Sequence, residues 1–110
     1  MTNLLPRNEE IILLTVLKLG GNAYGVSIRE RIEEDSGELW SFASIYTPLD
    51  KLNQKGFVIK SRGEPSGERG GKSKFYYRVS PAGLRSLQAL RDAQEKYWAG
   101  IPELIGEKKS

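Results

Sequence analysis

Isoleucine, leucine and valine fill most positions from Glu9 to Leu19, with polar residues only at the start and at Thr15 and Lys18, and the run stops at Gly20 and Gly21. This pattern predicts a helix buried on most sides and ended by a glycine cap. Tyr24, Ile28 and Ile32 then recur at a spacing of four, separated by Arg29, Glu30, Arg31, Glu33 and Glu34. A second, amphipathic helix follows from that spacing, closing near Ser36 and Gly37, with Tyr24 packed within it. In a third periodic segment Phe42, Ile45, Leu49 and Leu52 form the buried stripe, Ser41 is the N-cap candidate and Gly56 the stop. Pro48 lacks an amide donor, which predicts either a late start near Ser44 or a local kink.

The period changes after Gly56. Phe57, Val58 and Ile59 lead into Lys60, Ser61 and Arg62, a β-rich run without helical spacing. A second such run is Phe75 to Val79, where Phe75, Tyr77 and Val79 share one face and Tyr76 and Arg78 the other. Gly63 to Lys74 lies between them, rich in glycine and carrying Arg69, Lys72 and Lys74. It is too long for a tight turn and reads as a flexible basic loop joining antiparallel strands. Ser80 as N-cap and Pro81 at the first helical position open a last helix, whose stripe of Leu84, Leu87, Leu90, Ala93, Tyr97 and Trp98 runs to about Ala99. Beyond Gly100 the sequence reads as a frayed tail.

The expected fold is therefore mostly α with a small β-hairpin. Three helices, a two-stranded hairpin and a C-terminal helix is the order of a winged helix-turn-helix, in which the hairpin loop is the wing. With 110 residues the chain reads as one compact domain. Within it, residues 1–80 are expected to form the DNA-binding part and residues 81–110 a dimerisation helix and tail. A domain this small hides roughly 65 % of its unfolded surface, so a dimer contact would relieve the shortage of core.

Composition narrows the chemistry. The chain has no cysteine and no histidine, which removes disulfides, thiolate metal sites, the cysteine nucleophile and the commonest general base. No catalytic residue, metal or cofactor is expected. A serine and lysine pair could still carry hydrolysis, but no spacing argues for one. The longest apolar run, Ile11 to Leu14, is far short of a bilayer span, and the first seven residues lack a leader pattern; the expected location is cytoplasmic.

Net charge is only +3, yet it is segregated. Residues 1–40 hold four Lys/Arg against seven Asp/Glu, residues 41–85 nine against three, and residues 86–110 balance. A contiguous basic stretch suits a polyanion, although a solvated patch without a partner has the same composition. The stretch begins at the third helix and continues through the wing, the two parts such a fold presents to double-stranded DNA. On that helix Ser44, Thr47, Lys51 and Lys55 fall opposite the apolar stripe, where hydroxyls can meet bases or phosphates and lysines can neutralise phosphates. The same face also reads as an ordinary solvated one. Tyr46 either packs or reaches a phosphate with its hydroxyl, and Trp40 reads as a core anchor. The segment "GERGGKS" misses the phosphate-binding loop pattern, because Ser66 stands where a glycine is required and a β-rich run follows.

Three stretches carry a family resemblance: "LGGNAYGVSIRERI", "ASIYTPLDKLNQKGFV" and "RGEPSGERGGKSKFYYRVSPAGLRSL". Over about Glu10 to Leu87 the chain resembles the PadR-like transcriptional regulators of bacteria. It departs from the common pattern in having Thr47, not proline, after Tyr46, and resembles a subgroup with threonine there. The resemblance implies a homodimeric repressor on a pseudo-palindromic operator, commonly released by a small effector, with the C-terminal helix and part of the first forming the dimer contact. The DNA-binding candidates are then Ser41, Ser44, Tyr46, Thr47, Lys51, Lys55, Arg69, Lys72 and Lys74. The dimerisation candidates are Leu84, Leu87, Leu90, Tyr97 and Trp98, a stripe more apolar than one small monomer easily covers; the alternative is that it packs back on its own domain, as at least its N-terminal part must. Some relatives hold flat aromatic effectors between tryptophans of this helix, a part Trp98 would play; otherwise Trp98 simply packs in the interface. The rival function is a winged-helix module that binds protein through the same hairpin.

Overall fold

A computed structural model describes residues 4–63 and 74–106. The elements are α1 (Arg7–Leu19), a 3-10 turn (Gly20–Asn22), α2 (Gly25–Ser36), α3 (Phe42–Gln54), β1 (Val58–Arg62), β2 (Phe75–Val79), α4 (Pro81–Trp98) and the single turn α5 (Ile101–Leu104). The fold is mostly helical with one two-stranded antiparallel sheet, as the periodicities predict.

α1 forms the centre. Ile12, Leu13 and Val16 are buried, as are Ile28 and Ile32 of α2, Ile45, Leu49 and Leu52 of α3, Val58 of β1 and Tyr77 of β2. Each such aliphatic side chain contributes roughly 1.5–3 kcal/mol on leaving water, so this cluster supplies most of the driving force for docking the helices. Lys18 at the end of α1 bonds to Asp35 of α2 at 2.9 Å, and Arg31 reaches the same carboxylate at 3.2 Å. The Lys18 contact, aided by Arg31, holds the Asp35 carboxyl below its usual range. α2 ends where Gly37 takes the left-handed conformation, φ 77°, and donates its N–H to the Glu33 carbonyl.

Several expectations are corrected. α3 does not start late at Ser44: the Ser41 hydroxyl accepts the Ser44 N–H at 3.1 Å and starts the helix at Phe42. Pro48 lies inside the helix and is buried. Phe42 is not part of the buried stripe. At 3.6 residues per turn, Ile45, Pro48, Leu49 and Leu52 share one arc, and Phe42 falls at its edge beside α2. There the Arg29 guanidinium lies 4.5 Å from its ring centroid, while Arg29 Nε donates to the Trp40 carbonyl at 2.6 Å. Tyr24 is not within α2 but just before it, edge-on to Tyr76 of β2 with centroids 5.5 Å apart. Trp40 is half-buried and packs against the core. The residues after Gly100 include the turn α5 rather than a wholly frayed tail.

The hairpin register pairs Val58 with Val79, Lys60 with Tyr77 and Arg62 with Phe75 on one face, and Ile59 with Arg78 and Ser61 with Tyr76 on the other. Gly63 N–H donates to the Lys74 carbonyl at 2.7 Å, and Tyr77 N–H donates to the Ala23 carbonyl at 2.8 Å, tying β2 to the turn before α2. Ser80 then caps α4 by accepting the Gly83 N–H at 3.0 Å, and its hydroxyl donates to the Gly56 carbonyl at 2.6 Å. α4 stays against the body as far as Leu90, which is buried, and Gln94, which donates to Glu10, and its last residues to Trp98 are exposed. The molecule is elongated, with extents of 56 × 32 × 23 Å and a radius of gyration of 16.5 Å. A compact chain of this length would have about 13 Å.

Candidate nucleic-acid interface

The outward face of α3 follows from its core face. With Ile45, Pro48, Leu49 and Leu52 turned inward, the outward arc centres on Ala43, Thr47, Asp50 and Gln54, all exposed. Tyr46 lies on one flank of this arc, and Ser44 and Lys51 on the other. Thr47, Ser44 and Lys51 therefore stand where the sequence expects them. The Ser41 and Ser44 hydroxyls lie 2.9 Å apart, so each is oriented by the other and by the helix cap. Asp50 and Gln54 are absent from the sequence expectation, although the spacing of three and four from Thr47 that marks a shared helix face was there to be read. A carboxylate there can accept from a cytosine amino group and an amide can pair with adenine.

Tyr46 stacks on Phe42 with centroids 6.3 Å apart and rings inclined at 26°. Its hydroxyl rests against the backbone of Gly25 at the start of α2, where a side chain on residue 25 would collide with it. The phenol thus sets the approach of α3 to α2 while about two-fifths of the residue stays exposed, at 43 %.

The hairpin brings further cations beside this flank. Lys60 Nζ sits 4.4 Å from the Phe75 centroid, and Lys74 Nζ 4.3 Å from that of Tyr24. Together with Gly25, Val26, Tyr46, Asp50 and Tyr77, these residues line a cleft of about 270 Å³ at the junction of hairpin, α2 and α3. The negative face of each ring attracts the ammonium lying over it. Lys60 and Arg62 are functional candidates that the sequence expectation passed over, although their alternation in the first strand is the signal for it. Burial, then the nearby Asp50 charge, and then Tyr46, raise the pKa of the Tyr77 phenol above its usual 10.0.

Lys55 is placed differently. Its ammonium lies 2.6 Å from Glu9 Oε1, on a carboxylate that is almost wholly buried. The charge expected on the outer face is thus matched inside the protein, because Glu9 requires a partner. Among the described residues, Lys51, Lys60, Arg62, Lys74 and Arg78 are in no ion pair. Arg69 and Lys72, expected in the wing, lie outside the described residues.

The dimerisation candidates also divide. Leu90 is buried in its own core at 6 % exposure and Leu87 packs against that core, so the monomer itself covers this part of the stripe. Leu84, Tyr97 and Trp98 are exposed, at 41, 82 and 53 %. Leu14, Leu17, Leu84 and Leu87 line an apolar groove of about 430 Å³ between α1 and α4. Among the described residues no group of His, Cys, Asp or Glu is arranged to hold a metal, and no helix is long and apolar enough to cross a membrane.

Comparison with known proteins follows the same geometry. The profile of the transcriptional regulator PadR-like family matches residues 13–89. A PadR-like transcription factor from Bacteroides fragilis has a similar structure, with a TM-score of 0.74 at 20 % identity, covering 87 % of each chain. A PadR family transcriptional regulator from Eggerthella lenta gives 0.70 at 22 % identity over 93 % of this chain and 87 % of that one. A PadR family transcription regulator from Clostridium difficile gives 0.68 at 18 % identity over 88 % of this chain and 96 % of that one. At these identities the likeness is one of fold. No curated protein matches the chain.

Proposed function

The chain belongs to the PadR-like transcriptional regulator family, and from that premise we propose that it is a sequence-specific DNA-binding repressor acting in the cytoplasm as a homodimer on a pseudo-palindromic operator. Members of this family regulate transcription and are not enzymes, so control is by occupancy. The observation that carries the reading is that the exposed outward arc of α3 has Thr47 on it, Ser44 and Lys51 on one flank, and on the other Tyr46 and Asp50 in a cleft shared with Lys60 and Lys74 of the hairpin. Each subunit sets α3 in a major groove, the hairpin lies along the adjoining backbone, and half-sites fall about one helical turn, roughly 34 Å, apart. In this reading residues 1–80 bind DNA, with Arg69 and Lys72 extending the hairpin contact, and residues 81–110 dimerise. Leu84, Tyr97 and Trp98 are the side chains with surface left to give a partner. A small aromatic effector that releases the repressor stacks on Trp98.

Footprinting on its own upstream region and titration by fluorescence anisotropy across a salt series test the proposal. Binding weakens steeply with salt, and Lys51→Met or Lys74→Met lowers the slope of log affinity against log salt by about one for each phosphate that is no longer neutralised. Unchanged slopes in both variants remove those assignments. Absence of any protected region, with capture of acidic proteins instead, favours the protein-binding alternative.

A further inference from the structure

α1 opens with two consecutive glutamates, and both are buried, Glu9 at 3 % and Glu10 at 7 % exposure. A carboxylate so placed is tolerated only when its charge is matched, since desolvation of an unpaired ion outweighs the packing its methylenes gain. The two find partners in opposite directions. Glu9 Oε1 accepts from Lys55 Nζ at 2.6 Å, on the residue that ends α3. Glu10 accepts from Arg7 at 3.1 Å and from the Gln94 side-chain amide on α4, also at 3.1 Å. One turn of α1 is therefore bonded both to the end of the reading helix and to α4.

We propose that Glu9 is a positioning residue for DNA reading: it holds the C-terminal end of α3 through Lys55, and Glu10 makes the same turn the joint that fixes α4 relative to that helix. The inference rests on the DNA-binding reading above. α3 is anchored at its start by the Ser41 cap and by Arg29 over Phe42, and in its middle by Ile45, Leu49 and Leu52. At its end Asn53, Gln54 and Lys55 are all exposed, and the Lys55 ammonium is bonded to another helix. The carboxylate that receives it cannot follow it outward, being enclosed on the first turn of α1. An ammonium neutralised in this way releases no counterion on DNA, so Lys55 adds nothing to the salt dependence of binding.

The test compares the full chain with Glu9→Gln, Lys55→Met, the double variant and Lys55→Arg, using a fluorescent duplex of its own upstream region at several salt concentrations, with Lys51→Met as the phosphate-contact control. Titrations are run at a temperature where urea curves show every variant folded. Glu9→Gln is expected to lower affinity at least threefold at every salt concentration with the slope unchanged. Lys55→Met does the same, the double variant is no worse than either single, and Lys55→Arg stays within twofold of the parent. If Glu9→Gln instead tightens binding and steepens the slope by about one, Lys55 is a phosphate contact that Glu9 restrains, and the positioning role is overturned. If affinity is unchanged while stability falls, the pair serves folding alone, which also overturns it. Urea unfolding of the parent, Glu9→Gln, Lys55→Met and the double variant reads the pair without DNA: additive effects of the two substitutions sink the pairing itself. A parent chain that binds no duplex sinks the DNA-binding reading instead, so the two failures are distinguishable.

Discussion

Replacing Gly83 by alanine tests how α4 is seated. Gly83 is the third residue of α4 and is buried. A methyl group on it would overlap the Phe57 carbonyl oxygen and lie 2.8 Å from Val79 Cγ1 and 3.1 Å from the Phe57 carbonyl carbon. That carbonyl cannot retreat easily, because it accepts the Ser80 N–H at 3.0 Å and the Phe57 N–H is itself donated to Leu52 at 2.9 Å. Relief therefore requires the first turn of α4 to lift from the strand, which strains the Ser80 bond. Alanine gains at most about 1 kcal/mol in helix propensity over glycine. Overpacking against fixed atoms costs about 1–3 kcal/mol, and a weakened backbone hydrogen bond about 1 kcal/mol more. The net expectation is a loss of roughly 1–3 kcal/mol, or about 4–13 °C in melting temperature for a chain of this size. Urea denaturation followed by far-UV circular dichroism should show the midpoint falling by roughly 1–2 M with an unchanged slope. A midpoint equal to or above that of the parent would mean that α4 stands clear of Phe57 and that helix propensity governs the site, refuting the close approach.

Three further outcomes follow from the same packing. Ser80→Ala removes both the cap of α4 and the bond donated to Gly56, and should cost about 1–2 kcal/mol in urea unfolding; a loss below about 0.5 kcal/mol would show that neither bond stabilises the fold. Tyr77 keeps its proton to higher pH when folded than when unfolded, so its contribution is whole below pH 10.0 and is lost as pH rises through the folded value. Stability of the parent should therefore fall above about pH 10, Tyr77→Phe should flatten that fall, and identical profiles would discount the burial and the Asp50 charge as causes. Gly25→Ala drives the Tyr46 phenol off α2; because that ring can swing into solvent, DNA affinity should drop several-fold with little change in the urea midpoint, and unaltered affinity would show that the Tyr46 seat does not orient α3.

Periodicity located every long element to within about two residues, because burial must repeat at the geometry of the element whatever surrounds it. It failed where the neighbour decides. Phe42 has the correct spacing for the core stripe, yet sits at the start of α3 beside Arg29, and a cation over its ring replaces burial. Tyr24 continues the apolar spacing of α2 but precedes the helix and meets Tyr76, a partner 52 positions away in the chain. Leu90 shares the apolar stripe of α4 with Tyr97 and Trp98 in sequence, and periodicity alone does not say that its turn lies on the core while theirs is exposed. The turn at Ile101 carries too few residues for any period to register, and only Gly100 followed by Pro102 marks it.

The charge map shows the same division between what a stretch contains and what a surface offers. Counting Lys and Arg along residues 41–85 finds Lys51, Lys60, Arg62 and Lys74, which are in no ion pair among the described residues. It cannot say which cations are already matched. Lys55 belongs to the basic stretch but is neutralised by a glutamate of the acidic one, and Arg29 belongs to the acidic stretch but stands against the first residue of α3. Both exchanges cross the boundary near residue 40, and both anchor an end of the same helix. The acidic first part of the chain thus does more than balance charge: its Glu9 bonds to Lys55 just past the end of α3 and its Arg29 stands over Phe42 at the start, with Ser44, Thr47 and Lys51 between them.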